Sequence, residues 1–419
     1  MISIKQYLFL VFILSVFVDM LNGYYQLILN TTTIVPLLFK GGILAYSFFL
    51  VFKQPKVFMY FVILITLLLL DISSWIVNDH LNSFSILSNE LIRQLYPLGV
   101  FFVLWFYKNE ISRDDLLHYI MYYGLLMASS VCITAAMGVG VSSYGDDFGY
   151  GTKGLFVAGN DMSLAILISF CVCAYYLIIV GSLKYVAYSV VFMIVSLLAG
   201  STAIMIGSIL ICSSIIFLPL IYNIDYSRTF KYFRAVLFFV GFPLILYVMY
   251  RITQIDSYTM NKFDIHNVLA GNARNVLRDA YYAYASTFNW ADMFFGVGPE
   301  ALYNGVGKEL FGYSRGRSIE VDHLAIWGMY GYGLGSLILM YPFPAFCQFI
   351  REKNILSLFM LIAISLFFFH GIYAGHAYTS TSLLVFLAVF FLIVVLFAIA
   401  VLIFLISSNL GFISSCNSL

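Results

Sequence analysis

The chain has 419 residues, of which 21 are basic and 20 acidic, so its net charge is +1; 62% of its residues are hydrophobic and its mean hydropathy is +0.96. Only 10% are charged, against roughly 25% in a soluble domain, and no soluble fold of this size hides so much apolar surface. A soluble enzyme, a disordered chain and a coiled coil are therefore excluded, and the charge balance gives no support for a nucleic-acid partner.

The apolar runs, for example 58–70 and 383–406, are long and do not alternate. They read as helices, not barrel strands, so the expected fold is all-α and polytopic in a lipid bilayer. At about 20 residues per crossing, twelve spans are predicted in chain order: 6–29, 34–52, 57–77, 91–107, 117–138, 161–181, 185–200, 203–222, 235–251, 323–349, 355–373 and 379–407. The first carries Asp19 and Asn22 and has no small-x-small cleavage site, so it reads as a retained helix. The expected organisation is nine spans in 1–251, a large outer loop at 252–322, and three spans with a tail in 323–419.

Orientation follows the lysines and arginines of short loops. Lys5, Lys53, Lys56, Lys108, Arg113, Lys184, Arg228, Lys231, Arg234, Arg351 and Lys353 all fall on one side, and only Lys153 lies in a short connection of the other. Both termini are accordingly expected in the cytoplasm. The six cysteines lie in or beside spans and imply no disulfide framework.

Ionisable residues inside spans are costly and mark a cavity or a partner. Asp19 and Asn22 (first span), Lys40 (second), Asp71 (third), Glu90 and Arg93 (start of the fourth) and Asp161 (start of the sixth) all lie in outer halves. That sidedness predicts a polar cavity open to the outside and closed to the cytoplasm. The competing reading is ion pairing for helix assembly, Lys40 with Asp71 for instance. Carriers place such groups near the midplane and show repeated halves; no repeat is evident here.

In the long loop, Asn272 reads as an N-cap for a helix over 273–287, ended by Gly296-Val297-Gly298-Pro299. Arg274 and Arg278 are four apart on that helix and share a face, a pair suited to phosphate oxygens; a solvated face paired with Asp279 or Asp264 is the alternative. Tyr281, Tyr282, Tyr284 and Trp290 offer flat apolar faces with polar tips for sugar rings. The loop ends in Arg315, Arg317, Glu320, Asp322 and His323, and feeds a span with Gly328, Gly331, Gly333 and Gly335, read as close helix packing. The next connection holds His370, His376, Tyr378, Thr379 and Ser380. Acids and histidines are the usual general bases and arginine the usual oxyanion binder. No zinc-binding spacing is present among Glu320, Asp322, His323, His370 and His376, so no metal and no cofactor is expected.

This layout resembles the O-antigen polymerase and O-antigen ligase family (Wzy and WaaL type): many spans and one dominant loop late in the chain. The matching patches are Gly159-Asn160; Arg274 with its helix and Gly296-Val297-Gly298; Glu320-Val321-Asp322-His323 with Gly328, Gly331 and Gly335; and Ala374-Gly375-His376 followed by Ser/Thr. The acid-x-Asp, Gly-rich span and Gly-His order is closer to the polymerase form. One departure is Ser201-Thr202-Ala203, where the family often has Ser-Arg-Gly. A phosphate-binding role then falls to Arg274, Arg278, Arg315, Arg317 or Arg93. The resemblance implies a metal-independent glycosyltransferase in a bacterial inner membrane. It would polymerise undecaprenyl-pyrophosphate-linked oligosaccharide repeats on the periplasmic face, working with a chain-length regulator protein. Asp322, His323, His376 and Glu320 would be its catalytic candidates, and Arg274, Arg278, Arg315, Arg317, Arg93, Lys40, Tyr281 and Tyr282 its substrate-binding ones. A ligase transferring polymer to lipid A core and a non-enzymatic flippase are the rival readings.

Overall fold

The computed structural model describes residues 2–31, 33–53, 55–78, 84–143, 151–222, 227–253, 272–313, 319, 321–340, 342–352, 354–373, 375, 377–378, 380, 383–386 and 388–390. Every named element among them is a helix: α1 (Ile4–Ile28, with π turns at Phe9–Leu14 and Tyr24–Ile28), α2 (Val35–Val51), α3 (Pro55–Val77), α4 (Phe84–Phe106), α5 (Arg113–Ala136), α6 (Gly159–Val180), α7 (Leu183–Leu198), α8 (Thr202–Ile221), α9 (228–253), α10 (Asn272–Ala285), α11 (Trp290–Phe295), α12 (Gly298–Phe311), α13 (Asp322–Met340), α14 (Phe343–Glu352) and α15 (Ile355–Tyr373). Six of them, α1, α5, α6, α8, α9 and α15, are long and apolar enough to cross a membrane, and shorter apolar stretches lie in α2, α3, α4 and α7.

Local chemistry sets these ends. Ser112 caps α5, its hydroxyl accepting from Asp115 N at 3.0 Å while the Asp115 carboxylate accepts from Ser112 N at 3.4 Å. Gly181, left-handed at φ 60°, stops α6. α6 is the central helix, buried along nearly its whole length, whereas the apolar part of α9 faces outward. Small residues let the centre close up. Gly124 of α5 lies against Ser169 of α6, whose hydroxyl donates to the Ile120 carbonyl at 2.7 Å, and Gly207 of α8 receives Leu167.

The two faces of the bundle differ. The Tyr46 and Tyr107 hydroxyls both donate to the Ile2 carbonyl, at 3.3 and 3.4 Å, and Tyr119 donates to the Lys5 carbonyl at 3.3 Å. These bonds gather the start of α1, the ends of α2 and α4 and the start of α5, so Lys5, Lys53, Lys108 and Arg113 share a face. The opposite face receives the connection between α5 and α6. The connection bridges Ser142 to Thr152 in antiparallel sense and crosses α1 at Gly23, where a side chain would collide with the Leu155 carbonyl.

The expected single span at 323–349 is corrected by the backbone. α13 kinks at Gly331 (φ 64°, ψ −172°), and α14 is a separate helix. Each half has nine residues, about 13.5 Å at 1.5 Å per residue, too short to cross a core of about 30 Å. The halves fold so closely that a side chain at Gly335 would come within 3.1 Å of the Ile326 carbonyl. Gly331 and Gly335 therefore serve a bend within one helix, where the spacing suggested packing between two.

Within 272–313 the chain forms three short helices, α10 to α12. The helix expected over 273–287 ends at Ala285, and Gly296 breaks the next one at φ 75°, ψ 172°. α12 then starts with Pro299 in its first turn and Glu300 near its N-terminus, where missing N–H donors and the dipole favour both; the sequence reading gave no element there. These helices pack as a cap on α13, α3 and α4. Val297 N donates to the Gly328 carbonyl at 2.9 Å, and Trp75 of α3 donates from Nε1 to the Phe295 carbonyl at 3.3 Å. The Trp75 ring lies over Gly298 and 5.7 Å from that of Tyr330.

Candidate functional site: a polar cavity opposite the basic helix ends

On the face opposite the basic ends, the bundle encloses a cavity of about 200 Å³. Its polar wall is Asp19 and Asn22 of α1, Lys40 of α2, Arg93 of α4, Asp161 of α6 and Ser380; Tyr123, Met127 and residues 156–158 complete it. Five helices, α1, α2, α4, α5 and α6, and two connections thus contribute to one void. Lys40 Nζ stands 3.5 Å from Asp19 Oδ1, the two side chains only 17% and 21% exposed. Pairing makes burial of both charges affordable. Asp161 sits in the first turn of α6, where the helix dipole favours a carboxylate.

Beyond Lys40 the cavity narrows. A second void of about 10 Å³, lined by Ser15, Lys40 and Tyr96 among others, has room for about one water. Three aromatic rings then close the passage. Phe12 and Phe386 stack with centroids 6.2 Å apart, and Tyr123 meets each edge-on, at 6.2 and 5.1 Å. Phe12 and Phe386 are fully buried. Among the described residues, these rings bound the polar groups on the side toward the start of α1.

Of the residues singled out in the sequence, the structure brings Lys40 and Arg93 together here, with Asp19, Asn22, Asp161 and Ser380. Lys40 pairs with Asp19 and not with Asp71. Asp71 is 3% exposed in α3, one turn before Trp75. Asp322 is 1% exposed, and its Oδ2 accepts from the Tyr378 backbone N–H at 2.8 Å. His323 is half-buried, its ring 5.8 Å from that of Trp327. Neither lines the cavity. Arg278 is on the cap, 3.6 Å from neighbouring Asp279, both side chains well exposed. Tyr281 is buried beneath Gly328, and burial pushes its hydroxyl well above the ordinary tyrosine value; the ring of Tyr282 is exposed. Glu320, Arg315, Arg317 and His376 lie outside the described residues, as does the side chain of Arg274. Among the described residues no group of three or more His, Cys, Asp or Glu side chains is arranged to hold a metal ion.

The sequence reading missed Tyr123, Met127 and Phe156. They are ordinary apolar residues: Tyr123 and Met127 reach the void from α5, and Phe156 does so because residues 155–156 lie against Gly23. That glycine, in mid-helix and beside Asn22, was the one available signal.

No protein-family model matches the chain, and no curated protein and no solved structure is detectably similar to it.

Proposed function

We propose that the chain is a multi-pass membrane glycosyltransferase that polymerises undecaprenyl-pyrophosphate-linked oligosaccharide repeats on the periplasmic face of a bacterial inner membrane, with its N-terminus cytoplasmic. The observation that carries this reading is the cavity: two cations and two carboxylates, in helices that hold few other charges, open on the face away from the basic loops and sealed beneath. A diphosphate leaving group develops negative charge as its bond to the anomeric carbon breaks, and preorganised cations lower that barrier without a metal. Arg93 and Lys40 are the cations for this role. The acceptor hydroxyl oxygen forms the new bond to the anomeric carbon, its proton passes to a carboxylate, for which Asp161 is placed, and the diphosphate leaves with the electron pair. The exposed rings of Tyr282 and Trp290 on the cap offer surfaces for sugars. A chain-length regulator would act on this step from outside the chain.

The broken helix α13 is the feature that favours a carrier, since carriers build midplane sites from such breaks. Here the break is filled by the backbone of residues 294–297, and the cavity is closed by aromatic rings, both of which favour transfer over transport.

The test is polymerisation of lipid-linked repeats by the purified protein in nanodiscs. Lys40→Met and Arg93→Gln should each slow chain growth by roughly 10- to 100-fold, the worth of one hydrogen bond to a charged group. Unchanged ladders from both would refute the reading. Loss with Arg278→Gln alone would move the anion site to the cap. Transfer of finished polymer to lipid A core, without elongation, would make the protein a ligase.

A further inference from the structure

Asp322 stands at the junction of cap and bundle, yet a base must reach its proton, and this carboxylate is 1% exposed with Oδ2 already accepting from Tyr378 N at 2.8 Å. The bond joins residues 56 positions apart and fixes the connection after α15. Tyr378 is held from its other end too: its hydroxyl donates to the Leu339 carbonyl in the second half of α13 at 3.0 Å, and its ring meets Phe367 at 4.9 Å. Gly371 leaves the room for this, since a Cβ there would come within 3.2 Å of Asp322 Oδ2 and 3.3 Å of the Tyr378 ring.

From Tyr378 the chain runs on to the cavity, and Ser380 is in its wall. The Ser380 carbonyl accepts from Leu384 N at 3.1 Å, and its hydroxyl accepts from Leu383 N at 3.5 Å, so it opens the helical stretch that carries Val385 and Phe386. Both of those line the one-water void, and Phe386 is part of the seal. One buried carboxylate at the end of the cap therefore sets the register of a segment supplying both wall and seal.

We propose that Asp322 is a positioning residue: its carboxylate holds Tyr378 and, through it, sets Ser380 in the cavity wall and Phe386 in the closing rings, coupling the seating of the cap to the shape of the site. The role in catalysis rests on the glycosyltransferase reading above; the role in shaping the cavity does not.

The experiment uses the full-length protein in nanodiscs. Ser380→Cys is introduced, and its reaction with a membrane-impermeant thiol reagent is read at position 380 by peptide mass. Asp322→Ala, which leaves the Tyr378 N–H without its acceptor, should change the labelling rate by about tenfold. Asp322→Asn keeps a carbonyl oxygen where Oδ2 was and should stay within about threefold of the parent. If Asp322→Ala does not fold, Gly371→Ala presses on the same pair and should shift labelling in the same way. Labelling unchanged in Asp322→Ala, or in Gly371→Ala where that variant stands in, overturns the proposal. In the polymerisation assay without the cysteine, Asp322→Asn should retain most of the rate that Asp322→Ala loses. An Asp322→Asn protein as inactive as the alanine variant, with labelling at the parental rate, would make Asp322 a base and overturn the proposal. If the wild-type protein elongates nothing, the function reading fails and the labelling rates still decide the role of Asp322 in the cavity.

Discussion

Replacing Gly331 by alanine should destabilise the protein strongly, and so should replacing Gly296. Gly331 (φ 64°, ψ −172°) and Gly296 (φ 75°, ψ 172°) both occupy a backbone region that is essentially glycine-only, and they face each other. A Cβ on Gly331 would run into the Phe294 carbonyl and within 2.6 Å of Gly296 N; one on Gly296 would run into the carbonyl of Met329. Both obstacles are backbone and have no rotamer by which to yield. The conformational strain is about 1–3 kcal/mol and the steric displacement about 1–3 kcal/mol, so each variant should lose roughly 2–6 kcal/mol. Because both act on one contact, the double variant should lose clearly less than the sum. Gly42→Ala, with nothing within 4 Å of the added methyl on an exposed part of α2, is the control and should be neutral or up to about 1 kcal/mol stabilising. Unfolding by sodium dodecyl sulfate titration in mixed micelles gives all four values. A Gly331→Ala protein as stable as the Gly42→Ala control, or strict additivity with Gly296→Ala, would refute the backbone-against-backbone account.

Phe386→Ala removes a fully buried ring from the seal and should cost about 3–5 kcal/mol in the same titration; because Phe386 also lines the one-water void, its loss should widen that void and speed the reaction of Ser15→Cys, which lines it too, with a small hydrophilic thiol reagent applied from the cavity side. Trp290 on α11 is 78% exposed beside exposed Met293 and Phe294, an aromatic edge suited to the lipid–water interface. A variant keeping only that tryptophan should be quenched by lipids brominated near the headgroup; quenching by aqueous iodide alone would place the cap clear of the bilayer. Burial lowers the pKa of Lys153, whose ammonium donates to the Val157 carbonyl at 3.1 Å. Between that lowered value and the ordinary 10.5 the unfolded chain holds one more proton than the folded one, so this group's contribution to stability rises with pH. Lys153→Met should flatten that rise in stability measured from pH 8 to about 10.5, and an identical slope in both proteins would count against it.

Much of this was legible because hydropathy and depth are linear in sequence. The expected 161–181 and 117–138 are helices Gly159–Val180 and Arg113–Ala136, fixed by long apolar runs with Gly181 and Ser112 at their ends. Counting turns inward from a span's end was enough to set Asp19, Lys40, Arg93 and Asp161 at a similar depth, and three-dimensional packing brought them into one void. What failed to read through depends on contacts between distant segments. A glycine pattern does not tell close packing from a positive φ, so the break at Gly331 looked like a helix–helix seam. Asp322 read as a candidate base because nothing near it announces a partner 56 residues on. Asp71 was within reach of Lys40 by depth alone, but Asp19 is the acid that α1 presents to α2.

The aromatic seal also decides where an electrical potential would fall. If water fills the cavity down to Lys40, the outer solution's voltage extends with it, and nearly the whole drop is borne by the short stretch around Phe12, Tyr123 and Phe386. Carrying one elementary charge through that stretch would cost about 2.3 kcal/mol per 100 mV. Lys40 and Arg93 would then sit at the external potential, and an anion could reach them without working against the field of an energised membrane.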